Sequence, residues 1–176
     1  MSFRSPLVTP TEEQYALLGK VVAEWAVVEH GISTALARLS LAPDFPALAL
    51  TQRLTYQNKM KAMKQLLDLH EQRYRYHYVD MAAVASGRAI LKQLAQWRDS
   101  RNRTAHAVWL RLGDGAMFAF EPEAVQYTTA SKDKGKPIRN EDLQDLIDAT
   151  IPLIESVEAF VSMLPEVPEA PPRSSP

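Results

Sequence analysis

The chain has no cysteine, which excludes disulfide frameworks and thiolate metal sites and leaves nothing pointing to an oxidising compartment. It also lacks an apolar run approaching the roughly 20 residues that cross a bilayer. Residues 1–10 contain no stretch of signal-peptide type. A cytoplasmic protein with no membrane partner is the expectation. An excess of one charge sign is missing too: the formal net charge is −1, which taken whole disfavours a polyanionic partner. No glycine-rich phosphate loop is present, because Gly113-Asp114-Gly115 is followed by neither Lys-Ser/Thr nor a helix start. No Glu-x-x-His pair occurs, so Glu24, Glu29 and His30 do not imply a di-metal carboxylate bundle. No cofactor and no metal are expected.

What is there is ordinary in bulk and uneven in distribution. The 176 residues are 46% hydrophobic and 23% charged, enough for one globular domain with a real core. Residues 53–111 hold 12 Lys and Arg against 4 Asp and Glu, a net of +8, and the remainder carries −9. A basic middle in an acidic frame provides a local phosphate-binding surface or a set of solvated helix faces.

Apolar residues at helical spacing, from Leu17 through Val22, Trp25, Val28, Ile32 and Leu36 to Leu39, predict a helix over 11–40. Thr9 is its expected cap, with Pro10 in the first turn and Glu12 closing a capping box. Pro43 and Pro46 break the pattern, leaving one short turn near Ala47–Leu50. A second helix spans about 55–74, with Met60 and Met63 in the core. A third runs from 79 to 105 with Ala83, Val84, Gly87, Ile90, Leu94 and Trp97 on one face. The period then changes to two. Val108–Leu112 and Ala116–Phe120 predict a β-hairpin closed by Gly113–Gly115, with a further strand at Val125–Thr128. Ser131–Lys136 reads as a polar loop. Asn140 is the expected cap of a last helix over 141–163 that Pro152 bends. From Pro165 the Pro- and Ser-rich tail reads as disordered. The fold class is all-α: four main helices in a bundle over residues 11–164, with a small β-hairpin before the last one.

The chemistry concentrates in Arg101-Asn102-Arg103-Thr104-Ala105-His106. Histidine moves protons near neutral pH, and arginine holds phosphate and stabilises charge on it. Bare Arg-to-His spacing carries little weight, so context decides. Arg98 and Arg101 extend the apolar stripe of the third helix, where charge is costly unless used. Arg98, Asn102 and His106 form an i, i+4, i+8 ladder, whereas Arg101 lies about 140° from His106 around a straight helix. The two converge through the arginine's reach, a frayed helix end or a partner subunit, and of these a second chain or a frayed end is the expected way to close a site. The alternative is a C-capping cluster whose cations satisfy last-turn carbonyls.

Arg101-Asn102 followed by His106 resembles the Arg-x4-6-His signature of the HEPN superfamily, in which a polar residue follows the arginine. An early long helix carrying Trp25 and Glu29, and a later one ending Arg-Asn-x-x-x-His-x-x-Trp, extend the resemblance over residues 11–164. The resemblance implies a helical homodimer with facing motifs and metal-independent RNA cleavage, often in toxin–antitoxin or phage-defence roles with an antitoxin partner. It also covers members that only bind. His106 then serves as general base or acid, Arg101 holds the non-bridging oxygens, and Asn102 orients the histidine or the phosphate. Arg98, Arg103, Arg73 and Arg75 are the candidate substrate-binding residues. The last two stand in Arg73-Tyr74-Arg75-Tyr76-His77-Tyr78, which either stacks bases while holding phosphates or packs its tyrosines half-buried at an interhelix junction. The competing function is a non-catalytic helical dimerisation or binding module, and a third is the cognate antitoxin.

Overall fold

The computed structural model describes residues 9–106, 108–111, 117–120 and 137–168, with backbone alone at 98–103, 105–106, 108, 110, 118–120 and 137. It is mostly helical: α1 (Glu12–Leu39), α2 (Asp44–Thr51), α3 (Tyr56–Asp68), α4 (Met81–His106) and α5 (Asn140–Ser162). Strands β1 (Val108–Arg111), β2 (Met117–Phe120) and β3 (Pro137–Ile138) pair antiparallel in the order β1-β2-β3. Val108 stands opposite Phe120, and Met117 opposite Ile138. The Gly113–Gly115 turn, the Val125–Thr128 strand, the Ser131–Lys136 loop and the tail beyond residue 168 lie outside the described residues. Among the described residues no helix is long and apolar enough to cross a membrane.

Helix starts follow local hydrogen-bond chemistry. Thr11, not Thr9, caps α1: its Oγ1 accepts the Gln14 N–H at 3.2 Å, and Gln14 Oε1 accepts the Thr11 N–H at 2.9 Å. That reciprocal box satisfies donors at both ends, which Thr9 with Glu12 does not achieve. Thr11→Ala is expected to cost about 1 kcal/mol in urea denaturation; an unchanged midpoint would show that the box contributes nothing. Thr55 caps α3 by accepting from Asn58 N. At α5 the Asp142 carboxylate accepts the Arg139 N–H at 2.8 Å, so Asn140 is already helical rather than the cap. Pro43 and Pro46 do not prevent a helix at 44–51, because proline fits a first turn whose N–H groups are unpaired in any case. The backbone of α5 stays helical through Pro152.

The chain divides into two compact units. The first comprises residues 1–25 and 96–151. Its core is Leu18 and Val21 of α1, Met117 of β2, and Leu143 and Ile147 of α5, with Trp109 and Ile138 packed against them. The second comprises residues 26–95 and 152–176. Val28, Ile32, Leu36, Met63, Leu67, Ile90, Leu94 and Phe160 are buried there. Two helical glycines permit close approach: a Cβ on Gly31 would lie 2.5 Å from Val157 Cγ1, and one on Gly87 2.9 Å from both Leu67 and Phe160. Val22, part of the apolar series of α1, is 49% exposed.

α3 gives way to a π turn, Leu69–Arg73, rather than continuing as α-helix to residue 74. His70 is fully buried at this turn, with Nε2 2.8 Å from the Leu39 carbonyl. Nε2 donates in that contact, and Nδ1 is buried with no hydrogen-bond partner among the described residues.

Candidate functional site

The hexapeptide occupies the last two turns of α4, helical up to His106, and β1 begins at Val108. Within the first unit, helical register sets the positions. Arg101 falls about 40° from Trp97 and about 60° from Thr104, on the α4 face that those two share. Arg98, Asn102 and His106 fall about 100°, 140° and 180° from Trp97, with Arg98 about 60° from Arg101. Helical register therefore steps Arg98, Asn102 and His106 round α4 by about 40° at a time, leaves Arg98 beside Arg101, and separates Arg101 from His106 by about 140°. The side chains of Arg98, Arg101, Asn102, Arg103 and His106 lie outside the described ones.

The Trp97–Thr104 face borders a cavity of about 260 Å³, lined also by Ile138, Asp142, Leu143 and Leu146. Thr104 is 7% exposed. The indole Nε1–H of Trp109 donates to the Thr104 carbonyl at 3.3 Å. That carbonyl belongs to the final turn, whose oxygens have no intrahelical donor. Trp109 thus satisfies one of the acceptors available to capping cations.

Arg73 and Arg75 lie in the second unit, and both are exposed. Of the tyrosines around them, Tyr76 is part-buried, Tyr74 is 36% exposed and Tyr78 51% exposed. Tyr74 meets Tyr78 edge-on with ring centroids 5.2 Å apart, and His77 meets Tyr78 at 4.7 Å. Arg75 and Tyr76 have φ of 49° and 62°, a left-handed conformation that costs a side-chain-bearing residue free energy and persists only when its surroundings enforce it. Here Arg88 supplies the enforcement. It bonds Asp68 at 2.9 Å and also Glu71, and Glu71 accepts the Tyr76 hydroxyl at 3.1 Å. The Tyr76 N–H donates to the His70 carbonyl at 2.9 Å. Partial burial, reinforced by the Glu71 carboxylate, raises the Tyr76 phenol above its ordinary value. Hydrogen bonds to Asp68 and Glu71 hold the Arg88 guanidinium more firmly protonated. The run from Arg73 to Tyr78 announces its aromatic and basic content, but not this clamp, which joins residues 17 and 20 positions apart.

Glu29, one of the carboxylates considered for metal binding, lies 4.0 Å from Lys59, which is itself 5% exposed. Among the described residues no three His, Asp or Glu side chains are grouped to hold a metal ion. Comparison of the chain with protein-family models, with curated proteins and with solved structures gives no match.

Proposed function

We propose that the protein is a HEPN-like endoribonuclease acting as a homodimer, with Arg101, Asn102 and His106 as its reacting set. The observation that carries this reading is the continuity of α4 to His106. It keeps a proton-transferring group, an amide and a phosphate-binding cation within two turns at one helix end. The helical backbone at His106 argues against a frayed end, so the separation of about 140° from Arg101 is spanned by the arginine's own reach or by a second copy, and the homodimer reading takes the second. The Trp109 bond to Thr104 counts against pure capping, because one acceptor of that turn is already occupied.

The chemistry is transesterification. His106 takes the proton from a ribose 2'-hydroxyl, and O2' attacks the adjacent phosphorus as the P–O5' bond breaks. The leaving oxygen takes a proton from the acid, the second copy's motif or water. Arg101 bonds the non-bridging oxygens as charge builds on them, and Asn102 orients the imidazole. The products are a 2',3'-cyclic phosphate and a 5'-hydroxyl, and DNA of the same sequence stays intact. Four helices in a bundle with a β-hairpin before α5 is the architecture this reading carries. A toxin or phage-defence role, with a neutralising antitoxin, is its biological form. Incubation with single-stranded RNA, followed by end-group analysis of the wild type and of Arg101→Ala and His106→Ala, tests it; undiminished cleavage by both variants overturns it in favour of a non-catalytic binding module.

A further inference from the structure

Between residues 26 and 95 the acidic side chains are Glu29, Asp44, Asp68, Glu71 and Asp80. Each already has a partner. Glu29 faces Lys59 and Asp44 faces Arg38, while Asp68 and Glu71 share Arg88. Asp80 Oδ1 accepts the Ala83 N–H at 2.7 Å at the start of α4. Left over are Arg53, Lys61, Lys64, Arg73, Arg75 and Lys92. All six are exposed and, among the described residues, none joins an ion pair.

The α3–α4 seam orders most of these cations. The Tyr56 hydroxyl donates to the Leu94 carbonyl at 2.9 Å, and Arg88 meets Asp68 at 2.9 Å, so the two helices run antiparallel side by side. Around the α3 axis, Lys61 and Lys64 lie within about 20° and 40° of Asp68, and around α4, Lys92 lies about 40° from Arg88. The three lysines therefore border the seam that the Asp68–Arg88 pair bridges. At its end Arg88 grips Glu71, and Glu71 holds Tyr76. That chain of bonds anchors the loop bearing Arg73, Arg75 and the exposed rings of Tyr74 and Tyr78.

We propose that this seam binds the backbone of single-stranded RNA, with Lys61, Lys64 and Lys92 on phosphates and Tyr74 and Tyr78 stacking bases at the loop end. Lysines neutralise phosphates without reading sequence, and ring faces accept any unstacked base. A duplex, an anionic membrane and an acidic protein present no unstacked bases to those rings, and the single strand does. The surface rests on the ribonuclease reading only for the identity of its ligand, so binding and cutting are measured separately.

The test is anisotropy of a short fluorescein-labelled single-stranded RNA of mixed sequence, titrated with the full chain carrying His106→Ala. Adding Lys61→Gln, Lys64→Gln and Lys92→Gln together is expected to weaken binding about tenfold or more and to flatten the log–log salt dependence by about 2, as loss of three phosphate contacts requires. Tyr74→Leu with Tyr78→Leu, which removes two stacking rings, is expected to weaken binding roughly thirtyfold or more and to leave the salt slope unchanged. Unaltered melting curves serve as the control, since all three lysines are exposed. An unchanged affinity and slope in the lysine variant overturns the proposal. So does equal competition by an RNA duplex, by phosphatidylserine vesicles or by polyglutamate. Cleavage that survives His106→Ala overturns the ribonuclease reading alone and leaves the seam's binding result standing.

Discussion

His106→Ala is expected to lower the rate of RNA cleavage by about two to four orders of magnitude, the usual contribution of a positioned general acid or base. On the proposed ribonuclease reading, in which Arg101 stabilises the charge of the pentacoordinate phosphorane, Arg101→Ala is expected to cost about two to three orders. The two losses arise differently, which gives a second check. In single-turnover assays the arginine variant should lose rate at saturating RNA, because its bond strengthens as negative charge develops. Arg101→Lys keeps the charge but loses the bidentate fork, so only partial rescue is expected. Mixing inactive Arg101→Ala with inactive His106→Ala probes the shared site directly. If each dimer site draws its two residues from different copies, the mixed dimer holds one of two sites intact, and an evenly exchanged 1:1 mixture, half of it mixed dimers, returns towards about a quarter of wild-type activity. No recovery on mixing, in chains shown to exchange subunits, would place each reacting set within a single copy.

The three helical glycines whose surroundings are described should respond in opposite directions. Gly87 packs where a Cβ would stand 2.9 Å from Leu67 and Phe160, and Gly31 where it would stand 2.5 Å from Val157. Val157 is β-branched and on a helix, so its rotamer cannot swing away cheaply. Gly87→Leu and Gly31→Leu are expected to cost about 3 kcal/mol or more each through overpacking. In a chain of this length that lowers the melting temperature by roughly 6 to 12 °C. A Cβ added at Gly19 would meet nothing within 4 Å. Gly19→Ala should therefore stabilise by up to about 1 kcal/mol, the helix-propensity difference alone. Calorimetry of the three variants decides the matter: a Gly87→Leu chain melting with the wild type would mean that α3, α4 and α5 do not approach this closely.

Period made the long helices legible. The Leu18, Val21, Trp25, Val28 and Ile32 series of α1 and the Ala83, Val84, Ile90 and Leu94 series of α4 are buried as the spacing predicts. What escaped the pattern was governed by hydrogen bonds between side chain and backbone. The cap falls at Thr11 because Gln14, a residue of the helix itself, completes the box. α2 forms across Pro46 because the cost of proline depends on where in a turn it stands. The π turn at Leu69–Arg73 carries no periodic signature at all, since a single widened turn is too short to register. Of the candidate site, the helical setting of Arg101, Asn102 and His106 was legible. The lysines of the α3–α4 seam were not, because Lys61, Lys64 and Lys92 read as ordinary solvated positions until the acids between residues 26 and 95 are seen to be partnered elsewhere.

The π turn at Leu69–Arg73 has a bearing on tolerance to insertion and deletion. Such a turn is an α-helix holding one residue more than its register allows. Deleting one residue from it restores that register and swings everything downstream through about 100° about the helix axis. The Tyr76 hydroxyl would leave Glu71, and the left-handed pair at Arg75 and Tyr76 would lose the bond that enforces it. Chain length at this one turn therefore sets where Arg73 and Arg75 stand: a variant one residue shorter here would keep α3 and present the two arginines in a different direction.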